Sequence, residues 1–247
     1  MIRIPILSFT LALLAGNAGK LSAAELVLPV AYASTEGPAV ITGPLANADL
    51  TFQWLFDDSQ LSAVPAGSKF TAIGFRLDTG QPDRPGIEHV FSRWELQLSS
   101  SLNPAGALDP IFANNIGSDV ATVRSGPYTL PVNSLPGGTG PNGFFFVSFT
   151  TPYTYSGADL LLTLRQSASS GLPLLPLDGV APADVTGVAD SVRGGGTDAT
   201  SGQAQFSNIP ITALRYTPIP EPRSVLLMLV ALSLPCWAAA RRRRIRD

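Results

Sequence analysis

Apolar and polar residues alternate along much of this chain. Leu50, Phe52, Trp54 and Phe56 fall on one side, with Thr51, Gln53 and Asp57 between them. Ile73, Phe75 and Leu77 repeat the pattern, as do Trp94, Leu96 and Leu98, whose neighbours Arg93, Glu95, Gln97 and Ser99 face the other way. A period of two puts one set on a core face and the other in water, which predicts half-buried antiparallel strands. Residues 144–149 (FFFVSF) and 160–164 (LLLTL) are nearly continuous apolar runs bounded by Gly and Pro. They are too short for typical helices and are predicted as central strands covered on both faces. A last strand is predicted over 209–216, with weaker ones over 26–33, 121–124 and 128–132.

Between the strands lie turn-rich stretches at 79–86, 135–143 and 193–202. Proline presets φ and glycine permits positive φ, so these are predicted as hairpin tips and loops. Residues 172–192 carry three prolines and two glycines and are expected to cross the surface as a long connection. No stretch of the body sustains a 3.6-residue apolar stripe, and no internal repeat is present. Many short strands without a long helix predict an all-β fold, an antiparallel two-sheet β-sandwich of jelly-roll type, over residues 25–217.

The two ends differ from this body. Arg3, the apolar stretch 4–15 and the small residues Ser22, Ala23 and Ala24 have the layout of a secretory signal peptide spanning 1–24. Cleavage is expected between Ala24 and Glu25, with Gly16-Asn17-Ala18 as a second candidate. The alternative is an uncut N-terminal anchor, but twelve helical residues rise only about 18 Å against roughly 30 Å of hydrocarbon.

At the other end, 218–247, three parts follow without a gap: Pro220-Glu221-Pro222, an uncharged apolar run 225–240, and a basic cluster 241–246 that opens with Arg241, Arg242, Arg243 and Arg244. The prolines make a stiff, extended spacer. The apolar run would span about 24 Å as a transmembrane helix, and Pro235 weakens it, so it is expected to anchor only marginally. Clustered arginine stays on the cytoplasmic side, which puts the body outside.

In this order and spacing, the tail resembles the PEP-CTERM sorting signal of exported proteins in many Gram-negative bacteria. The resemblance implies an inner-membrane-anchored precursor and processing by an exosortase, a membrane-embedded transpeptidase-like enzyme that cuts near the Pro-Glu-Pro motif. It further implies an address at the cell envelope, cell surface or extracellular matrix, among exopolysaccharide and biofilm components. Carried onto this chain, Pro220, Glu221 and Pro222 are the recognition motif, 225–240 the span, and Arg241 to Arg244 the stop signal. Residues 65–78 and 158–166 look like segments common in β-sandwich ectodomains ahead of such tails, which adds architecture and no chemistry.

Charge and composition narrow the body's role. Net charge is −2, yet residues 25–219 hold 16 acidic against 8 basic side chains, because the remaining arginines concentrate at the termini. An acidic body repels phosphate backbones, so no nucleic-acid partner is expected. The single cysteine, Cys236, lies in the tail, so the body forms no internal disulfide.

His89, beside Glu88, is the only histidine. It lacks a G-x-S-x-G elbow and reads as a surface or half-buried residue, not a catalytic base. One histidine and no body cysteine leave zinc without ligands. Asp57, Asp58, Asp78, Asp83 and Glu88 are oxygen donors of the kind calcium or an acid–base pair uses, but no D-x-D-x-D spacing accompanies them. Gly194 to Gly196 read as a flexible loop without a phosphate-binding lysine. Trp54 and Trp94 are expected in the core, and Tyr153 and Tyr155 on the surface, where they would suit a sugar ring. No metal, cofactor or catalytic group is expected. The reading is a non-enzymatic surface or matrix protein, structural or adhesive. Its rivals are a carbohydrate-binding module for matrix polysaccharide and a polysaccharide-active hydrolase.

Overall fold

The computed structural model describes residues 23–219 apart from 172, 173 and 206. Fifteen strands form among them. In chain order, β1 (Ala24–Leu28), β2 (Ala39–Ile41), β3 (Leu50–Phe56), β4 (Lys69–Phe75) and β5 (His89–Phe91) come first. They are followed by β6 (Trp94–Ser100), β7 (Ala121–Arg124), β8 (Tyr128–Leu130), β9 (Phe145–Thr154) and β10 (Leu160–Gln166). The chain then adds β11 (Leu177–Val180), β12 (Ala189–Gly195), β13 (Gln203–Ala204), β14 (Ile209–Pro210) and β15 (Thr212–Thr217). Helical structure among the described residues is limited to five short 3-10 turns. The fold is all-β.

Hydrogen bonding sorts the strands into four antiparallel sheets. The largest runs β13-β12-β3-β10-β6-β7, and a second runs β1-β15-β4-β9. Three strands (β14-β11-β2) and a pair (β5-β8) make the smaller ones. The two larger sheets share one core. Phe52, Trp54 and Phe56 of β3, with Trp94, Leu96 and Leu98 of β6, meet Phe70, Ile73 and Phe75 of β4 there. Trp54 stacks on Phe52 with centroids 5.1 Å apart and lies 6.5 Å from Phe75. The period-two pattern of these strands places that face correctly, and both tryptophans are fully buried in it.

Four expectations need correction. The polar face of β3 is not in water: Thr51 and Gln53 are fully buried. Leu55 of this strand packs with Leu161, Val192, Leu108 and Phe112, so the segment around 108–116 covers the sheet's second face. Gln53 Nε2 donates to Phe112 O (3.1 Å) and Thr163 Oγ1 (3.0 Å), and its Oε1 accepts from Asn115 Nδ2 (2.9 Å). Burial is tolerated because each polar atom is paired.

By contrast, the run 144–149 enters β9, an edge strand that stays partly exposed. Its companion 160–164 does form the buried central strand β10. The stretch 172–192 is no surface connection, since it supplies β11 and the start of β12. Gly194 and Gly195 belong to β12, paired with Thr51 and Leu50, instead of a free loop.

Candidate functional site

Four separate stretches converge beside the C-terminal end of β4. Arg76, just beyond that strand, is buried and reaches Asp178 Oδ2 of β11 from Nε at 2.7 Å. Its Nη2 donates to the carbonyls of Thr35 (2.6 Å) and Tyr32 (3.1 Å), pinning the segment between β1 and β2. The same segment supplies the Gly37 amide, which donates to Asp178 Oδ1 at 2.9 Å.

Glu36 and Asp78 complete the group. One oxygen each from Glu36, Asp78 and Asp178 lies within 4.8 Å of the other two. The loop at 138–142 closes the side. Asn142 Nδ2 donates to the carbonyls of Leu77 and Asp78, both at 3.0 Å. Gly140 (φ +74°) sits so close to Glu36 Oε2 that a β-carbon would overlap it, and this conformation itself favours glycine.

The electrostatics are unbalanced. Three carboxylates face one guanidinium, and burial pushes both Glu36 and Asp178 above the ordinary carboxylate range. For Glu36 the neighbouring Asp178 adds to the rise while Arg76 opposes it. For Asp178 the Arg76 hydrogen bond opposes burial without overcoming it. Both Glu36 oxygens are sealed from solvent and accept no hydrogen bond. The Thr79 amide leans toward them and lowers the pKa slightly without reaching hydrogen-bonding geometry.

Of the carboxylates expected as oxygen donors, Asp78 alone joins this group. Asp57 and Asp58 gather with Asp159 instead. There Asp57 Oδ1 caps a 3-10 turn by accepting from Ser59 N (3.0 Å), and Asp159 Oδ1 accepts from Asp58 N (2.9 Å). That second group is largely surface structure. Asp83 accepts from Gly137 N (2.8 Å), and Glu88 is exposed. Glu36, Asp159 and Asp178 have no local signal in the sequence, because only the fold brings them to their partners.

His89 proves fully buried on β5, opposite Leu130, and neither ring nitrogen has a hydrogen-bond partner. Among the described residues it therefore hydrogen-bonds to neither a nucleophile nor an orienting carboxylate. Tyr153 and Tyr155 are also buried, at 2% and 3% exposure, where they pack on Phe70. They offer no platform to a sugar ring. A cleft of about 390 Å³ near Pro182, Thr186 and Gln205 includes Asp190 in its lining. Its carboxylate is committed to the amides of Gly106, Leu108 and Ser191.

Ala24 opens β1, and Glu25 pairs across to Arg215 of β15 at 3.4 Å. Pro220, Glu221, Pro222, the apolar run 225–240 and Arg241 to Arg244 lie outside the described residues, as does the stretch 1–22. Among the described residues, no helix is long and apolar enough to cross a membrane. No protein-family model matches the chain, and no curated protein is found to be similar to it. The reading of the tail consequently rests on the tail's own residues.

Proposed function

We propose that the chain is an exported cell-surface or extracellular-matrix protein, sorted by its C-terminal segment and processed by an exosortase, with a non-enzymatic body in a structural or adhesive role. The observation that carries this reading is the ordered tail: Pro220-Glu221-Pro222, an apolar run interrupted by Pro235, then Arg241 to Arg244. A span of about 24 Å holds poorly in roughly 30 Å of hydrocarbon, which suits a transient precursor better than a permanent root.

The body's architecture is compatible with that role. We read it as a two-layer sandwich of jelly-roll type, with the smaller sheets as extensions of the two large ones. Ala24 is registered with Tyr216, so an export signal before β1 and a sorting tail after β15 would leave from the same edge. Such a body stands away from the membrane on one stalk.

The test compares the full chain with a Glu221→Ala variant, and with one whose four arginines are replaced, in a host that encodes an exosortase. The intact chain is expected to convert to a shorter form that fractionates with the envelope or matrix. Both variants are expected to accumulate as membrane-bound precursor. Normal conversion of either would overturn the exosortase reading.

A further inference from the structure

We propose that Glu36, Asp78 and Asp178 form a divalent-cation site of the calcium class, which fastens the segment before β2 to the ends of β4 and β11. The first support is geometry. A calcium ion bonded at about 2.4 Å holds opposite ligands about 4.8 Å apart, and one oxygen from each of the three carboxylates lies within 4.8 Å of the others.

The second support is independent of the clustering. Both Glu36 carboxylate oxygens are sealed from solvent without a hydrogen bond, the Thr79 amide only approaching them. Burying an ionised carboxylate without partners is costly, and folded proteins offset it with a counter-charge, a metal or protonation. Arg76 is already engaged with Asp178 and two carbonyls, so it leaves the Glu36 oxygens unserved. A divalent cation between the three carboxylates would neutralise the two negative charges that Arg76 does not.

The donor chemistry selects the ion. All three ligands are carboxylates, with no imidazole or thiolate, which disfavours zinc. Calcium accepts irregular oxygen shells of six to eight, whereas magnesium requires near-octahedral geometry and retains its water. Asp78 is partly exposed and is the side from which an ion would enter and solvent would complete the shell. Arg76 remains outside that shell as a positioning residue, holding Asp178 from behind. The Asp57, Asp58 and Asp159 group carries no comparable proposal, because its members are capped and closer to solvent.

The experiment uses the full chain, stripped with EDTA, titrated with calcium chloride and in parallel with magnesium chloride. Heat of binding and thermal melting are both recorded. One calcium per chain is expected, with affinity in the roughly 0.1–1 mM range of extracellular sites or tighter, a melting temperature that rises with calcium, and a much weaker response to magnesium. Glu36→Gln should weaken calcium at least tenfold and, without calcium, melt above the stripped wild type, since it removes the unserved charge. Asp78→Asn, at the partly exposed edge, should also weaken calcium without disturbing the core. The proposal is overturned if calcium neither binds nor shifts melting at about ten times that range. It is equally overturned if the response persists in both variants and disappears in Asp57→Asn/Asp58→Asn.

Discussion

Replacing Arg76 by methionine keeps an unbranched apolar stem and removes the guanidinium that faces three carboxylates. Both partners of the Arg76–Asp178 pair are nearly inaccessible, at 2% and 0% side-chain exposure, so bulk water does not screen the loss. Breaking a buried pair by removing one partner costs about 3–5 kcal/mol. For a domain of this size, 1 kcal/mol moves the melting temperature by about 2–4 °C, which predicts a drop of roughly 6–20 °C in EDTA. The carbonyls of Thr35 and Tyr32 lose their donor in the same step, which favours the upper half of that range.

The pH dependence separates this mechanism from a simple packing defect. Glu36 and Asp178 already titrate above the ordinary carboxylate range, because burial disfavours their charged forms. Between the unfolded and folded pKa values the native state holds more protons than the unfolded one, so this group's contribution falls as pH rises. Without Arg76 the effect should grow. The variant's deficit should be largest near neutrality and shrink toward about pH 5. Adding Asp178→Asn, which keeps an acceptor for Gly37, should recover part of the loss. The reasoning fails if the methionine variant melts within about 1 kcal/mol of wild type, or if its deficit is constant across that pH range.

Burial lowers the His89 pKa, with the opposite consequence. The unfolded state takes up the proton first, so stability should decline as pH falls below about 6.5 and level off below the folded pKa. His89→Gln should flatten that slope in urea melts, and an unchanged slope would place the dependence elsewhere. Asp119 accepts from the Ser100 amide and hydroxyl and from the Tyr153 hydroxyl, each at 2.7 Å. Burial pushes its carboxyl up, but these hydrogen bonds outweigh it and hold it below the usual range. Asp119→Ala should destabilise by about 2–4 kcal/mol in denaturant titration, and Tyr153→Phe by a smaller amount.

Alternation located the main core because Phe52, Trp54, Phe56, Leu96 and Leu98 reach it at every second position. It misplaced Thr51 and Gln53, since a polar residue satisfied inside the fold has the same spacing as one in water. Nothing near Gln53 announces that Phe112 and Asn115 will arrive to pair with it. The run 144–149 misled in the other direction. Phe146 stays partly exposed on an edge strand and is covered by Arg215, whose guanidinium lies 3.5 Å from the ring centroid. An aromatic capped by a cation reaching across the intervening strand β4 from β15 is indistinguishable, in sequence, from one facing a second layer. The same limit applies to the acidic site. Asp78 stands out beside a turn, whereas Glu36 and Asp178 acquire meaning only when β4 and β11 bring them together.

The pairing of β1 with β15 bears on where an export signal would be cut. All five residues of β1 are registered against β15, from Ala24 opposite Tyr216 to Leu28 opposite Thr212. Leu28 is fully buried in the main core. A cut before Glu25 leaves four of the five paired positions and sacrifices only Ala24. The surface ion pair of Glu25 with Arg215, with both side chains about half exposed, adds little to that choice. A cut beyond Leu28 would instead strip β15 of its outer neighbour, leaving it paired with β4 alone and exposing a row of unpaired amides and carbonyls. It would also forfeit the burial of Leu28, whose truncation to alanine alone should cost about 2–5 kcal/mol. N-terminal sequencing of the exported form should therefore give a start at or before Leu26. A folded, exported form starting after Leu28 would show that β1 is not part of the working body.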